Sequence, residues 1–219
     1  MLTLASGSAD PLPAELTHLP DGTPLAESTG PLATWTRRLT DIVRQQAAEI
    51  ERLRALAVTD PLTGLYNRRG FEDLLERALA ASRRHGETGL LALIDLDRFK
   101  PINDRHGHAA GDAVLEAIAR VIAGSIRATD CAARPGGDEF ALLFVHCDPE
   151  GAAARLARLR NAIEALRLDW AGARLGVTAS LGIAPYGPGS EARTLLAAAD
   201  AALYADKTAR KAASGLRSA

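Results

Sequence analysis

The sequence is short of several things, and each shortage narrows what the chain can be. It has two cysteines in 219 residues, Cys131 and Cys147. Two are too few for a disulfide framework, so both are expected to be reduced, partly buried thiols. The net charge is −1, so no basic field argues for a nucleic-acid partner. No apolar run approaches the roughly 20 residues of a membrane span. Residues 1–20 have neither a basic start nor a long apolar core, so they do not form a secretory signal. The expectation is a soluble, cytoplasmic protein with no membrane and no nucleic-acid partner.

Lysine and arginine are also missing from residues 1–31, which carry five prolines and four acidic residues. Such a segment buries too little apolar surface to offset its ordering entropy and reads as a disordered tail. The rest is different. Hydrophobic residues make up 47% of the chain, and its length suits one domain of ordinary size plus an appendage.

Residues 32–57 carry a heptad pattern. Leu32, Thr36, Leu39, Val43, Gln46, Ile50, Leu53 and Ala57 recur in steps of four and three, with charged residues between them. The pattern fits a short parallel coiled coil in which Gln46 helps to set register. It equally fits an amphipathic helix folded back on its own domain. Trp35 lies off the seam.

Beyond a turn at Thr59–Gly64, helical and strand-like stretches alternate. Helices are expected near 69–84, 109–127, 150–168 and 191–211, and strands at 89–94, 140–145 and 175–184. The run Gly89–Ile94 is continuously apolar, as in a strand buried on both faces. Alternation of this kind indicates an α/β sandwich with a central mixed sheet flanked by helices and preceded by the N-terminal helix.

Three places carry chemistry. In Arg134–Leu143, Gly136 and Gly137 permit a tight hairpin turn, with Asp138 and Glu139 beside bare backbone. That arrangement suits a phosphate ester and a divalent metal, although a solvated acidic hairpin tip would read the same. Asp95 ends a buried strand, where α/β folds place ligand groups, and Asp97 points the same way. A hard oxygen site for Mg²⁺ or Mn²⁺ and an Asx turn closing the strand both fit this spacing. Asn103 and Asp112 offer the donor and acceptors that would read guanine, while Lys100 would hold phosphate oxygens. Helix capping is the plainer role for Asn103 and Asp112.

The motifs, taken together, resemble a GGDEF-domain diguanylate cyclase. The likeness runs through Asp60–Arg69, Asp95–Asp104, Gly107-His108, Gly111-Asp112, Arg134–Phe140, Thr178–Gly182 and Ala199–Lys207. It keeps family-like order and spacing across residues 58–211, which sets residues 58–219 apart as a catalytic domain after the 1–31 tail and the 32–57 signalling helix. The resemblance implies condensation of two GTP into cyclic di-GMP with release of pyrophosphate, in a metal-dependent homodimer. It assigns Asp95, the Leu96 carbonyl and Asp138 to the metal, which would be Mg²⁺ or Mn²⁺. Asp138, Glu139 and Lys100 become the catalytic groups. Asn103, Asp112, Lys100, Phe99, His108, Gly136, Gly137, Lys207 and Lys211 become GTP contacts. Retention of Asp112 favours guanine in both halves of the product. Arg127 and Asp130 resemble the family's Arg-x-x-Asp site, at which the product cyclic di-GMP inhibits.

The alternative within the family is a catalytically weak domain acting as a GTP or cyclic di-GMP receptor. A structural regulator working through the coiled coil is a further class. Two departures stand out. Pro135 precedes the glycines, so its arm must be an edge or unpaired at that point. Arg210-Lys211 stand where the family commonly has Gly-Arg, leaving Lys211 as a point charge in place of a planar fork.

Overall fold

A computed structural model of the protein describes residues 31–56 and 58–215. The chain divides into two units at Leu56 and Ala57. The tail expected over residues 1–31 lies outside the described residues up to residue 30, as does the seam position Ala57.

The first unit contains helix α1 (Pro31–Leu56). The seam residues Leu39, Val43, Ile50 and Leu53 are exposed along it, as are Trp35 and Ile42. The apolar stripe is therefore wider than the heptad seam alone, because Trp35 and Ile42 flank it.

The second unit is built around β1 (Gly89–Asp97), whose leading residues are buried on both faces. On one side β1 pairs with β3 (Glu139–Val145), and β3 with β2 (Cys131–Gly136). On the other it pairs with β6 (Thr178–Tyr186), giving the order β2-β3-β1-β6. All three pairings are antiparallel. The parallel component expected of a mixed sheet is confined to an isolated bridge between Tyr66 and Ala133 at the β2 edge.

Helices cover both faces. Leu90, Ala92, Ile94 and Leu96 point to the face packed by α4 (His108–Ser125) and α5 (Pro149–Ala165). Leu91 and Leu93 point to the face packed by α2 (Arg68–His85) and α6 (Ala192–Gly215). Asn67 caps α2 by accepting the Gly70 amide at 3.0 Å, which satisfies one of the unpaired N–H groups of the first turn. Contact between α6 and β6 is close at Gly182, where a Cβ would overlap the Ala199 carbonyl and the Leu203 amide.

Several expectations are revised. The strand does not close in an Asx turn at Asp95; it continues through Leu96 to Asp97 because β6 pairs with it to that point. Phe99–His106 forms a short helix, α3, with Pro101 in its first turn, where a missing N–H costs little. Asn103 and Asp112 lie inside α3 and α4 and cap neither, and the residues preceding those helices, Arg98 and Gly107, make no side-chain cap. A small hairpin of β4 (Leu168–Trp170) and β5 (Ala173–Leu175) precedes β6. Pro135 is accommodated in the way its chemistry requires. Strand β2 is at the edge of the sheet, and its register shifts between Ala133 and Gly136, so the residue lacking an N–H falls in the irregularity.

Candidate active site

The hairpin between β2 and β3 carries the acidic signature. Gly136 pairs with Glu139, so Gly136 belongs to the strand and the two-residue loop is Gly137-Asp138. The expected glycine pair is thus split between strand and turn. Gly137 has φ +55°, the sign that a glycine supplies at the first central position of a type II′ hairpin. Arg134 stiffens the turn from beneath by donating from Nε to the Gly137 carbonyl at 2.9 Å.

Sheet register then assembles the carboxylates. Asp95 lies directly opposite Glu139 on β3, and the Leu96 amide donates to the Asp138 carbonyl at 3.2 Å. Asp95, Leu96, Asp138 and Glu139 are therefore brought together. Burial pushes the Asp95 carboxyl above its usual range. The Lys207 ammonium pulls it back, while Asp138 and Asp97 push it further up. Lys207 Nζ lies 2.8 Å from Asp95 Oδ2, so the lysine expected on phosphate neutralises a carboxylate here. Asp97 has a different role from its neighbour. It accepts from the Thr178 and Ser180 hydroxyls at 2.8 and 2.7 Å and pairs with Arg210 at 3.3 Å.

Among the described residues no three His, Cys, Asp or Glu side chains form a ready metal cage. Two carboxylates beside a backbone carbonyl do fit a hard divalent cation that completes its shell with substrate phosphate oxygens.

The expected base readers share one corner. Asn103 on α3 packs against Gly111 on α4, where any Cβ would overlap Asn103 Oδ1, and exposed Asp112 follows on α4. Gly107 closes α3 by donating its amide to the Asn103 carbonyl at 2.8 Å, which fixes the angle between the two helices. Exposed His108 begins α4. Lys100 is exposed beside Asp104 at 3.0 Å. Phe99, expected among the nucleotide contacts, is buried in the core at the start of α3, with the edge of its ring beside Gly111. Exposed Lys211 lies one turn beyond Lys207 on α6.

Arg127 and Asp130 sit at the opposite end of β2 from the Gly137 turn. Asp130 is 7% exposed. Its Oδ2 accepts the Arg127 amide at 2.9 Å and the Arg155 guanidinium, while Oδ1 is buried without a partner among the described residues. Arg155 also lies over the Phe144 ring, 4.6 Å from its centroid. Arg127, Arg155, Arg158 and His146 line a cavity of about 280 Å³ here. The sequence reading missed Arg155 and Arg158, although their i, i+3 spacing on α5 put two cations on one face. A second cavity, about 350 Å³, lies between α5 and β6 and is mainly apolar. Neither cavity is at the carboxylates.

An antiparallel sheet flanked by helices, with a carboxylate pair at a Gly-Gly hairpin, places this unit in the nucleotidyl-cyclase-like α/β class. The diguanylate cyclase GGDEF domain matches residues 57–213, and the chain belongs to that family. It is 41% identical over 162 residues to the diguanylate cyclase DgcP of Pseudomonas aeruginosa, spanning 74% of this chain and 24% of that protein. It is 37% identical over 159 residues to the probable diguanylate cyclase DgcC of Escherichia coli, spanning 72% of this chain and 43% of that one. The chain thus spans less than half the length of these relatives. The GGDEF domain of DgcB from Caulobacter crescentus, solved in complex with c-di-GMP, is similar in structure. Its TM-score is 0.68 at 38% identity, covering 70% of this chain and 91% of that one. Among the described residues no helix is long and apolar enough to cross a membrane.

Proposed function

We propose that this chain is a metal-dependent diguanylate cyclase acting as a homodimer, joining two GTP into cyclic di-GMP with release of two pyrophosphates. The observation that carries the reading is the register of β1 against β3, which brings Asp95 opposite Glu139 and beside Asp138. All three acidic positions are retained, which favours catalysis over a receptor role. Each copy supplies half of the site, with one GTP held by each of two facing domains. Residues 58–219 form the catalytic part, and the exposed stripe of α1 supplies a face for association of two copies.

Asp95 and Asp138, with the Leu96 carbonyl, would hold Mg²⁺ or Mn²⁺. When bound, the cation supplies charge neutralisation and Lewis-acid polarisation of the α-phosphate. Asn103 and Asp112 orient the guanine, so that the 3′-hydroxyl of one GTP faces the α-phosphorus of the other. Glu139, exposed at the start of β3, accepts the proton of that hydroxyl. An oxygen–phosphorus bond then forms as the bond to pyrophosphate breaks. Lys207 and Lys100 offset the charge on the phosphates. Arg127 and Asp130 form the product site. Asp130 supports it from beneath, holding the Arg127 amide and the Arg155 guanidinium.

Incubating the purified chain with GTP and Mg²⁺, and separating nucleotides by chromatography with mass detection, tests the reading. Cyclic di-GMP and pyrophosphate are expected in a ratio of one to two. Absence of the cyclic product at a protein concentration shown to be dimeric would overturn it.

A further inference from the structure

More than an apolar face fixes helix α6 to the domain. Two ion pairs join it to α5: Asp206 to Arg160 at 3.0 Å, and Arg210 to Glu164 at 2.6 Å. Each helix spaces its two charges four residues apart with the signs reversed, so the helices present complementary pairs. Helices α5 and α6 pack on opposite faces of the sheet, and β6 is its edge strand. Both bridges therefore pass round the free edge of β6. Asp206 also accepts the outward-pointing Leu181 amide at 2.8 Å, occupying an edge N–H that would otherwise be open to strand pairing.

Arg210 is shared between two partners. One guanidinium nitrogen holds Glu164, while Nε lies 3.3 Å from Asp97 on β1. Burial opposes its charge, but the Glu164 hydrogen bond and the surrounding carboxylates outweigh this and hold it more firmly protonated. This guanidinium stands where the family commonly has glycine. Its partners are carboxylates of the protein itself, so it does not substitute for the family's phosphate-binding arginine. Between Asp206 and Arg210 in the chain lies Lys207, whose ammonium meets Asp95. Lys207 and Arg210 are three residues apart on α6, and Asp95 and Asp97 two apart on β1. The two bridges therefore run side by side as a ladder between helix and strand.

We infer that Asp206 and Arg210 are positioning residues for Lys207, setting the rotation and height of α6 so that the ammonium is presented to Asp95 and to GTP phosphate. The inference rests on the proposed cyclase reading for its GTP consequence, but not for its Lys207 consequence. A lysine on a four-carbon stem has little preorganisation of its own, and a shift of about 1 Å in a positioned group can cost up to roughly a hundredfold in rate. A clamp on both sides of Lys207 restrains that shift.

The test uses the full chain with Asp206→Asn and Arg210→Gln, singly and together, after thermal melts show that each folds. Lys207 is labelled with an amine-selective acylating reagent, and its reactivity is read by peptide mass mapping against exposed Lys100. The double variant should raise relative Lys207 labelling several-fold and lower kcat/KM for GTP about tenfold. Arg210→Lys keeps a cation that cannot reach Asp97 and Glu164 together, so it should move both readouts in the same direction. It also serves if the double variant is unfolded. Unchanged labelling in folded variants overturns the positioning role. Raised labelling with unchanged kcat/KM overturns its link to GTP. Raised labelling in a chain whose parent form makes no cyclic di-GMP leaves the clamp standing and removes the cyclase reading instead.

Discussion

Arg134 reaches back across 74 positions to place one guanidinium nitrogen 3.2 Å from both carboxylate oxygens of Asp60. The same side chain holds the Gly137 carbonyl, and its backbone amide donates to the Tyr66 carbonyl at 2.7 Å. The turn that follows α1 in the sequence is thus tied to the strand that ends in the acidic hairpin. Thr63 completes the tie by donating its amide and hydroxyl to Asp60 at 2.9 and 2.6 Å.

A pH dependence follows from this pair. Burial alone would raise the Asp60 carboxyl, but the Thr63 hydrogen bonds and the Arg134 charge outweigh it and hold it below its ordinary value of 3.8. A depressed folded pKa means that the unfolded chain binds the proton more readily. The stabilisation is therefore fully present above the unfolded value and is lost as pH falls through the folded one. Asp60→Asn should cost about 1–3 kcal/mol at pH 7. Denaturant melts of parent and variant should converge between about pH 4 and pH 2. A gap that persists undiminished at pH 2 would assign the effect to packing.

Gly182 gives a steric prediction. A Cβ at Gly182 would overlap the Ala199 carbonyl and the Leu203 amide, so Gly182→Ala must push α6 away from β6. Neither obstacle is a flexible side-chain end. Overpacking against backbone should cost about 2–4 kcal/mol and should reduce activity through the displaced Lys207. Calorimetric melting checks the first, and a Tm within 1 °C of the parent would show that the helix gives way without cost.

Base selection can be examined apart from catalysis. ITP differs from GTP by loss of the 2-amino group, which is a donor that an aspartate can accept. If Asp112 reads that group, Asp112→Ala should lower kcat/KM for GTP by roughly ten- to a hundredfold while changing ITP much less. Equal losses for the two nucleotides would show that Asp112 supports the helix pair and not the base.

Local chemistry made much of this arrangement readable in the sequence. The apolar run at Gly89–Ile94, the positions of the long helices and the glycine hairpin were each readable locally. The constraint imposed by Pro135 was legible too, since an absent N–H demands an edge or an irregularity, and β2 supplies both. What escaped was short or long-range. Strands β4 and β5 have three residues each, too few to display a period. Helix α3 is marked by Pro101 and polar residues as a loop would be, and burial of Phe99 helps to hold it. The pairing of Lys207 with Asp95 and the fork of Arg210 depend on how α6 lies across β1, which no local pattern reports. The packing of Asn103 against Gly111, where any Cβ would overlap the amide, likewise depends on how α3 and α4 meet.

The Arg127–Asp130 site calls for a choice of variant. Asp130 is the more tempting target, yet it holds both the Arg127 amide and the Arg155 guanidinium from a buried position. Asp130→Ala would leave Arg155 without its carboxylate, so its phenotype would mix folding with ligand binding. Arg127 is exposed, and its backbone amide, not its side chain, meets Asp130. Arg127→Ala should therefore leave Tm within about 1 °C and initial velocity near the parent value, because surface substitutions cost little. If cyclic di-GMP inhibits through this cavity, the concentration giving half inhibition should rise by at least tenfold in Arg127→Ala, since a charged hydrogen bond to phosphate is worth about 1.5–3 kcal/mol. Arg158→Ala, on the same wall of the cavity, should shift it in the same direction. Inhibition that is unchanged in both variants would detach the cavity from product control.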